Sequence, residues 1–111
     1  MSKKVFKVII SRFAEEDLVE ILDYFNEINP EYSYKLLLTL ENRINELKII
    51  PERGRIIPEL EKQNIINYRE LIEGNYRIVY AVQDENVIIH TIIDGRRNFE
   101  EIITNKLMRS Y

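Results

Sequence analysis

Apolar and polar positions alternate in different rhythms along the chain, and the rhythm changes mark the elements. Val5-Phe-Lys-Val-Ile-Ile10 alternates weakly and is rich in β-branched residues, which predicts a strand ending at Ser11. From Ser11 the spacing becomes helical, with Ala14, Leu18, Ile21, Leu22, Phe25 and Ile28 on one stripe and Glu15, Glu16, Asp17, Glu20 and Asp23 elsewhere, on what reads as a solvated acidic face. Ser11 suits the N-cap, and acids in the first turn complement the helix dipole. Asn29-Pro30 then places a cap residue before a proline at the first helical position, opening a second helix with Leu37, Leu40, Ile44 and Leu47 on its apolar stripe. Helices joined this tightly predict an antiparallel hairpin.

Two prolines and a glycine in Pro51-Glu-Arg-Gly-Arg-Ile-Ile-Pro58 make a continuous helix unfavourable, so the stretch from Ile49 to about Asn64 reads as a connecting loop. Strand-like runs follow at Ile66 to Ile72, Tyr76 to Val82 and Val87 to Ile93, separated by Glu73-Gly-Asn75 and Gln83-Asp-Glu-Asn86. Phe99, Ile102, Ile103 and Leu107 return to helical spacing and predict a short amphipathic terminal helix, able to dock or detach. The order strand, helix, helix, three strands, helix predicts an α+β fold, a helical hairpin packed on a four-stranded, mainly antiparallel sheet with a short C-terminal helix, as a single domain over residues 1–111. Leu18, Leu22, Phe25, Leu40, Ile44, Leu47, Ile78 and Tyr80 are expected to share its core.

A two-residue turn at Glu73-Gly74 would set Glu70 opposite Arg77, and a turn at Asp84-Glu85 would set His90 opposite Val79 and Ile92 opposite Arg77. One face then carries Tyr68, Glu70, Ile72, Arg77, Val79, Ala81, Ile88, His90 and Ile92. The other carries Leu71, Tyr76, Ile78, Tyr80, Val82, Val87, Ile89 and Ile93, with Arg69 and Thr91 as polar exceptions. The more apolar face should meet the helices, leaving Glu70, Arg77 and His90 on a face open to solvent or a partner. Such a cluster has the groups to bind phosphate or perform acid–base work. It equally fits a cross-strand salt bridge beside a partly buried histidine. Gly95-Arg96-Arg97 follows the last strand and suits a carboxylate or phosphate, or else a solvated turn.

Composition narrows the chemistry. With 111 residues, no cysteine and one histidine, the chain cannot form disulfides, thiolate zinc sites or cysteine nucleophiles, so neither a metal nor another cofactor is expected. Sixteen basic against 19 acidic side chains give a net charge of −3, the wrong sign for a generic nucleic-acid binder. No apolar run approaches membrane-spanning length and the start lacks a secretory signal, which points to the cytoplasm and to no membrane partner.

Pro51 to Leu60, Tyr68-Arg-Glu-Leu-Ile-Glu-Gly-Asn-Tyr-Arg-Ile-Val-Tyr80 and Val87-Ile-Ile-His-Thr-Ile-Ile-Asp-Gly-Arg-Arg97, in this order and spacing, resemble the RelE/ParE superfamily of toxins from type II toxin–antitoxin (plasmid stabilisation) systems. The resemblance spans nearly the whole chain. It implies a compact toxin neutralised by a cognate antitoxin, acting in one of two ways: as a RelE-like ribosome-dependent mRNA endoribonuclease, or as a ParE-like inhibitor of DNA gyrase without known catalytic residues. A homodimer is compatible with either.

Carried over by position, Arg77 and Arg97 match arginines that the ribonuclease branch places around the scissile phosphate, and His90 is the only side chain whose unperturbed pKa lies near neutrality. Arg77, His90 and Arg97 are therefore the catalytic candidates should the protein cut RNA. Tyr68 and Glu70 stand where that branch often has lysines, and Ile103 where it often has tyrosine. The Pro-Glu-Arg-Gly-Arg and Gly-Arg-Arg segments look closer to the ParE-like branch. That branch makes Glu70, Arg77, Arg96 and Arg97 the candidate contacts to a protein target.

Overall fold

A computed structural model describes residues 4–108. The elements run β1 (Lys7–Ile10), α1 (Arg12–Ile28), α2 (Pro30–Glu46), β2 (Arg55–Ile56), α3 (Pro58–Glu61), β3 (Arg69–Glu73), β4 (Tyr76–Gln83), β5 (Asn86–Asp94) and α4 (Phe99–Leu107). The α+β architecture is as expected, but the sheet has five strands in the order β1-β5-β4-β3-β2. β1 lies parallel to β5, and the other pairings are antiparallel. The fifth strand and α3 both arise inside the stretch expected to be loop. Pro58, which forbids a helix running through it, instead starts α3 at a position where its missing N–H costs nothing.

Local chemistry explains the helical hairpin. Ser11 Oγ accepts from the Ala14 N–H at 3.1 Å and donates to the His90 carbonyl at 3.1 Å, so the N-cap of α1 is tied to β5. Asn29 ends one helix and begins the next: its N–H donates to the Phe25 carbonyl at 2.7 Å, and its side chain accepts from the Tyr32 N–H at 3.1 Å. With Pro30 at N1, the two helices meet without an intervening loop. No helix among the described residues is long and apolar enough to cross a membrane.

The hairpin covers one sheet face through a cluster including Ala14, Leu36, Leu40, Ile44, Leu47 and, from the sheet, Leu71, Tyr76, Ile78, Tyr80, Val87, Ile89 and Ile92. Leu18 and Phe25 pack against it half-buried, whereas Leu22 stays outside the cluster. The expected core is thus present apart from Leu22.

Two register details differ from expectation. The first hairpin turns at Gly74-Asn75, so Glu73 pairs with Tyr76 and Ile72 with Arg77. This slides the partner by two residues, which preserves the faces and makes Glu70 and Arg77 diagonal rather than opposite. Gly74 supports the turn with φ of +57°. In the second hairpin, Val82 pairs with Val87 as expected, but the pairing shifts between Val79 and Tyr80, setting Thr91 rather than His90 opposite Val79. This bulge exchanges the faces of the residues after it. Ile92 joins the hairpin cluster and Ile93 the opposite one, the reverse of the alternation read from the sequence.

The second face is not open. α3 and α4 cover it, with Ile57, Leu60, Val79, Ile93, Phe99 and Ile103 forming a second buried cluster that Ile65, Tyr68, Ile102 and Leu107 border. The run Ile78-Val79-Tyr80-Ala81 is buried throughout, as a strand covered on both faces must be.

Candidate functional site

The segment around Gly54 sets the geometry of the second face. Tyr80 Oη donates to the Pro51 carbonyl at 2.7 Å and accepts from the Gly54 N–H at 2.8 Å, while Arg69 donates to the Gly54 carbonyl at 2.8 Å. A Cβ at position 54 would lie 2.5 Å from the Glu70 carbonyl oxygen and 2.6 Å from Tyr80 Oη, so glycine is required by contact. The Pro-Glu-Arg-Gly-Arg motif is thereby pinned beneath Tyr80. Burial pushes the Tyr80 phenol pKa up, keeping it a neutral donor.

Arg55, one residue beyond the pin, reaches the carboxylate of Glu70, whose side chain is fully buried, with an Nε to Oε2 distance of 2.8 Å. Arg77 engages the same carboxylate through Nε at 2.6 Å and Nη2 at 2.8 Å. Its remaining edge is taken by Glu59 of α3, with Nη1 at 2.9 Å and Nη2 at 2.7 Å. The guanidinium plane also stacks 3.4 Å from the centroid of the Phe99 ring. Desolvation works against the Arg77 charge, but the hydrogen bonds to Glu59 and then Glu70 outweigh it and raise its pKa. The Arg77 hydrogen bond in turn lowers the Glu59 pKa. Gly95 makes room for this arrangement, since a Cβ there would sit 2.8 Å from Arg77 Cδ.

Glu70 and Arg77 are therefore brought together, and both are consumed. An anion entering here must displace a carboxylate from a bidentate grip. His90 joins neither: its ring meets Tyr68 edge-on at 5.3 Å, and its buried Nε2 has no hydrogen-bond partner among the described residues. Burial lowers its pKa, so the imidazole is neutral at pH 7.

The two adjacent arginines diverge. Arg96 closes on Asp94 through Nε at 3.1 Å and Nη2 at 2.7 Å, with its backbone N–H adding a third bond at 3.0 Å, and this pairing lowers the Asp94 pKa. The exposed Arg97 side chain has no hydrogen bond or ion pair among the described residues. It stands at a cleft of about 390 Å³ between α1, the end of β5 and α4.

One wall of that cleft rests on a residue assigned above to the solvated acidic face. Asp17 is buried: Oδ2 accepts from Thr91 Oγ1 at 2.5 Å and from the Ile92 N–H at 3.1 Å, and Oδ1 pairs with Lys106 Nζ at 2.5 Å. It joins α1, β5 and α4 in one contact set. Its position, three residues after Ala14 and four before Ile21, lies on the apolar stripe, a spacing signal that the residue's charge obscured. Arg55 and Glu59 carried no comparable signal, because α3 was not foreseen.

Comparison with known proteins agrees with this architecture. Residues 8–99 match the family model described as the ParE toxin of the type II toxin–antitoxin system parDE. The fold is similar to that of a chromosomal ParDE toxin–antitoxin system from P. aeruginosa, at 20% identity and a TM-score of 0.69, covering 83% of this chain and 98% of that one. It is also similar to a chain of the toxin–antitoxin complex RelBE2 from Mycobacterium tuberculosis, at 19% identity and a TM-score of 0.55, covering 84% and 94% respectively. No curated protein matches the chain in sequence. The chain belongs to the ParE toxin family of type II toxin–antitoxin systems.

Proposed function

We propose that this ParE-family toxin inhibits growth by gripping a protein target, of which DNA gyrase is the leading candidate, and that it performs no RNA cleavage. The observation that carries this reading is the occupancy of Arg77. Four of its five N–H donors are held by Glu59 and Glu70, and the single Nη1 N–H that remains cannot make the paired grip a scissile phosphate requires. A ribonuclease also needs a group to take up a proton and another to donate one. His90 is neutral and half-buried, and its Nε2 faces no reacting partner. The net charge of −3 further opposes docking on ribosomal RNA.

A cognate antitoxin neutralises the protein in this reading, acting in the same cytoplasm. Both structurally similar proteins above come from toxin–antitoxin systems, which supports such a partner. Exposed Tyr34 and Leu38, four residues apart on one side of α2, offer apolar side chains on which a segment that is disordered when free could fold.

The deciding experiment exposes purified gyrase and ribosome-bound mRNA to the purified protein in parallel. Loss of supercoiling with intact mRNA is the expected result. Cleaved mRNA with normal supercoiling would overturn the proposal in favour of the RelE-type endoribonuclease.

A further inference from the structure

Of the four side chains that made up the candidate target contact, Glu70, Arg77 and Arg96 are engaged within the protein, and Arg97 is the one without a side-chain partner among the described residues. Its surroundings are those of a binding cleft. Ile21, Phe25, Ile92 and Ile102 line it with apolar surface, and Tyr24 stands at its rim 63% exposed. Two of the three acids lining the cleft are paired, Asp17 with Lys106 and Asp94 with Arg96, so an incoming carboxylate meets a cation that holds no ion pair among the described residues. Glu20, the third, holds no ion pair among the described residues, which penalises a second negative charge. A volume of about 390 Å³ admits one or two large side chains but no helix. Exposed tyrosine and arginine around an apolar floor are the residue types that dominate protein–protein binding energy.

We propose that this cleft takes a protein segment presenting one carboxylate beside a bulky apolar side chain, the carboxylate pairing with Arg97 and the apolar group entering against Tyr24 and Ile102. A nucleic-acid strand is disfavoured, because its repeated phosphates would face Glu20 in the cleft wall and a chain of net charge −3. The inference rests on the reading of the protein as a grip on a protein target.

The test combines gyrase inhibition by the full chain with chemical-shift mapping of its methyl groups. The mapping probes are two blocked tripeptides, Leu-Glu-Phe and Leu-Gln-Phe, and a single-stranded oligonucleotide. Arg97→Glu and Tyr24→Ala should each raise the half-inhibitory concentration by about 10-fold or more, as expected for loss of a charge-assisted contact or an aromatic anchor. Lys35→Glu, an exposed charge reversal on α2, should leave it within about twofold, as for a rim charge away from the contact. The glutamate peptide should shift the Ile92 and Ile102 methyls more than its glutamine counterpart, and Arg97→Glu should abolish the difference.

Wild-type inhibition unchanged in the Arg97 and Tyr24 variants overturns the cleft and leaves the protein-target reading standing. An equal loss in Lys35→Glu also overturns it, as an effect of overall charge. If the wild type does not inhibit gyrase, that target falls and the peptides alone decide the cleft: selective shifts support it, and equal or absent shifts overturn it. Larger cleft shifts with the oligonucleotide overturn it in favour of nucleic acid. Unfolding midpoints check each variant, and Arg97→Gln replaces Arg97→Glu if the latter does not fold.

Discussion

The two faces of the sheet are buried by different means. Against the α1–α2 hairpin the interface is mainly aliphatic and aromatic, with Ser11 and Asp17 as polar ties from α1 to β5. Against α3 and α4 an apolar cluster of similar kind is crossed by an ion network, Arg55–Glu70–Arg77–Glu59, with Phe99 stacked on the arginine. Apolar contacts tolerate adjustment, whereas a buried charge network is stable only when every member is present. The first face should therefore respond to lost volume and the second to lost partners.

The largest expected effect tests that contrast directly. Glu70→Ala leaves Arg77 with only one carboxylate in a buried site and should cost about 3–5 kcal/mol, as for breaking a buried ion pair. Glu70→Leu combined with Arg77→Met should recover much of that loss, since an apolar replacement removes the stranded charge while half-exposed Arg55 can turn to solvent. Denaturant unfolding of the single and double variants measures both; a double variant no more stable than the single would show that the charges themselves are required.

Leu40→Ala, in the fully buried centre of the hairpin face, should cost about 2–5 kcal/mol through cavity formation and should be insensitive to salt. Urea midpoints at low and high ionic strength check this. Salt sensitivity matching that of the Glu70 variant would erase the proposed difference between the faces.

Smaller still is Tyr80→Phe, which removes the pin on the Gly54 segment while keeping the ring in the core. It leaves the Gly54 N–H without its acceptor and should cost about 1–3 kcal/mol. Faster amide exchange at Gly54 than at Leu40 in the same variant would confine the damage to the pinned segment.

The smallest effect is on pH dependence. His90 has its folded-state pKa lowered by burial, so the unfolded chain takes up the proton first. Stability is complete above the ordinary value of 6.5 and declines as pH falls below it towards the folded value. A second decline begins below the ordinary value of 4.5 for Glu59, whose hydrogen bond to Arg77 lowers its folded pKa. His90→Phe should flatten the first decline and leave the second. Unfolding midpoints between pH 4 and 8 read both, and a first decline that survives in His90→Phe would assign it elsewhere.

Much of the fold was legible because it follows from local rules. Apolar spacing defines α1, α2 and α4, Ser11 and Asn29-Pro30 define their starts, and the Asp84-Glu85 turn sets the register of β4 on β5 at its near end. The order of motifs around Gly54, Arg77 and Gly95 indicated the family that the comparison then established. Candidate site residues were legible by type, but their state was not. Glu70, Arg77 and Arg96 look in the sequence like groups available to a partner. Whether each is free depends on neighbours far along the chain.

What the sequence by itself determined was element type and the two-faced alternation of the strands, since backbone propensity and side-chain period act over a few residues. Only the tertiary structure decided the bulge that exchanges Ile92 and Ile93, the covering of the second face by α3 and α4, and the burial of Asp17 against Thr91 and Lys106. Each of these joins residues distant in sequence. A charge on an apolar stripe becomes a buried clamp only when its partner arrives from the other end of the chain, and among the described residues no acid hydrogen-bonds or ion-pairs with the Arg97 side chain.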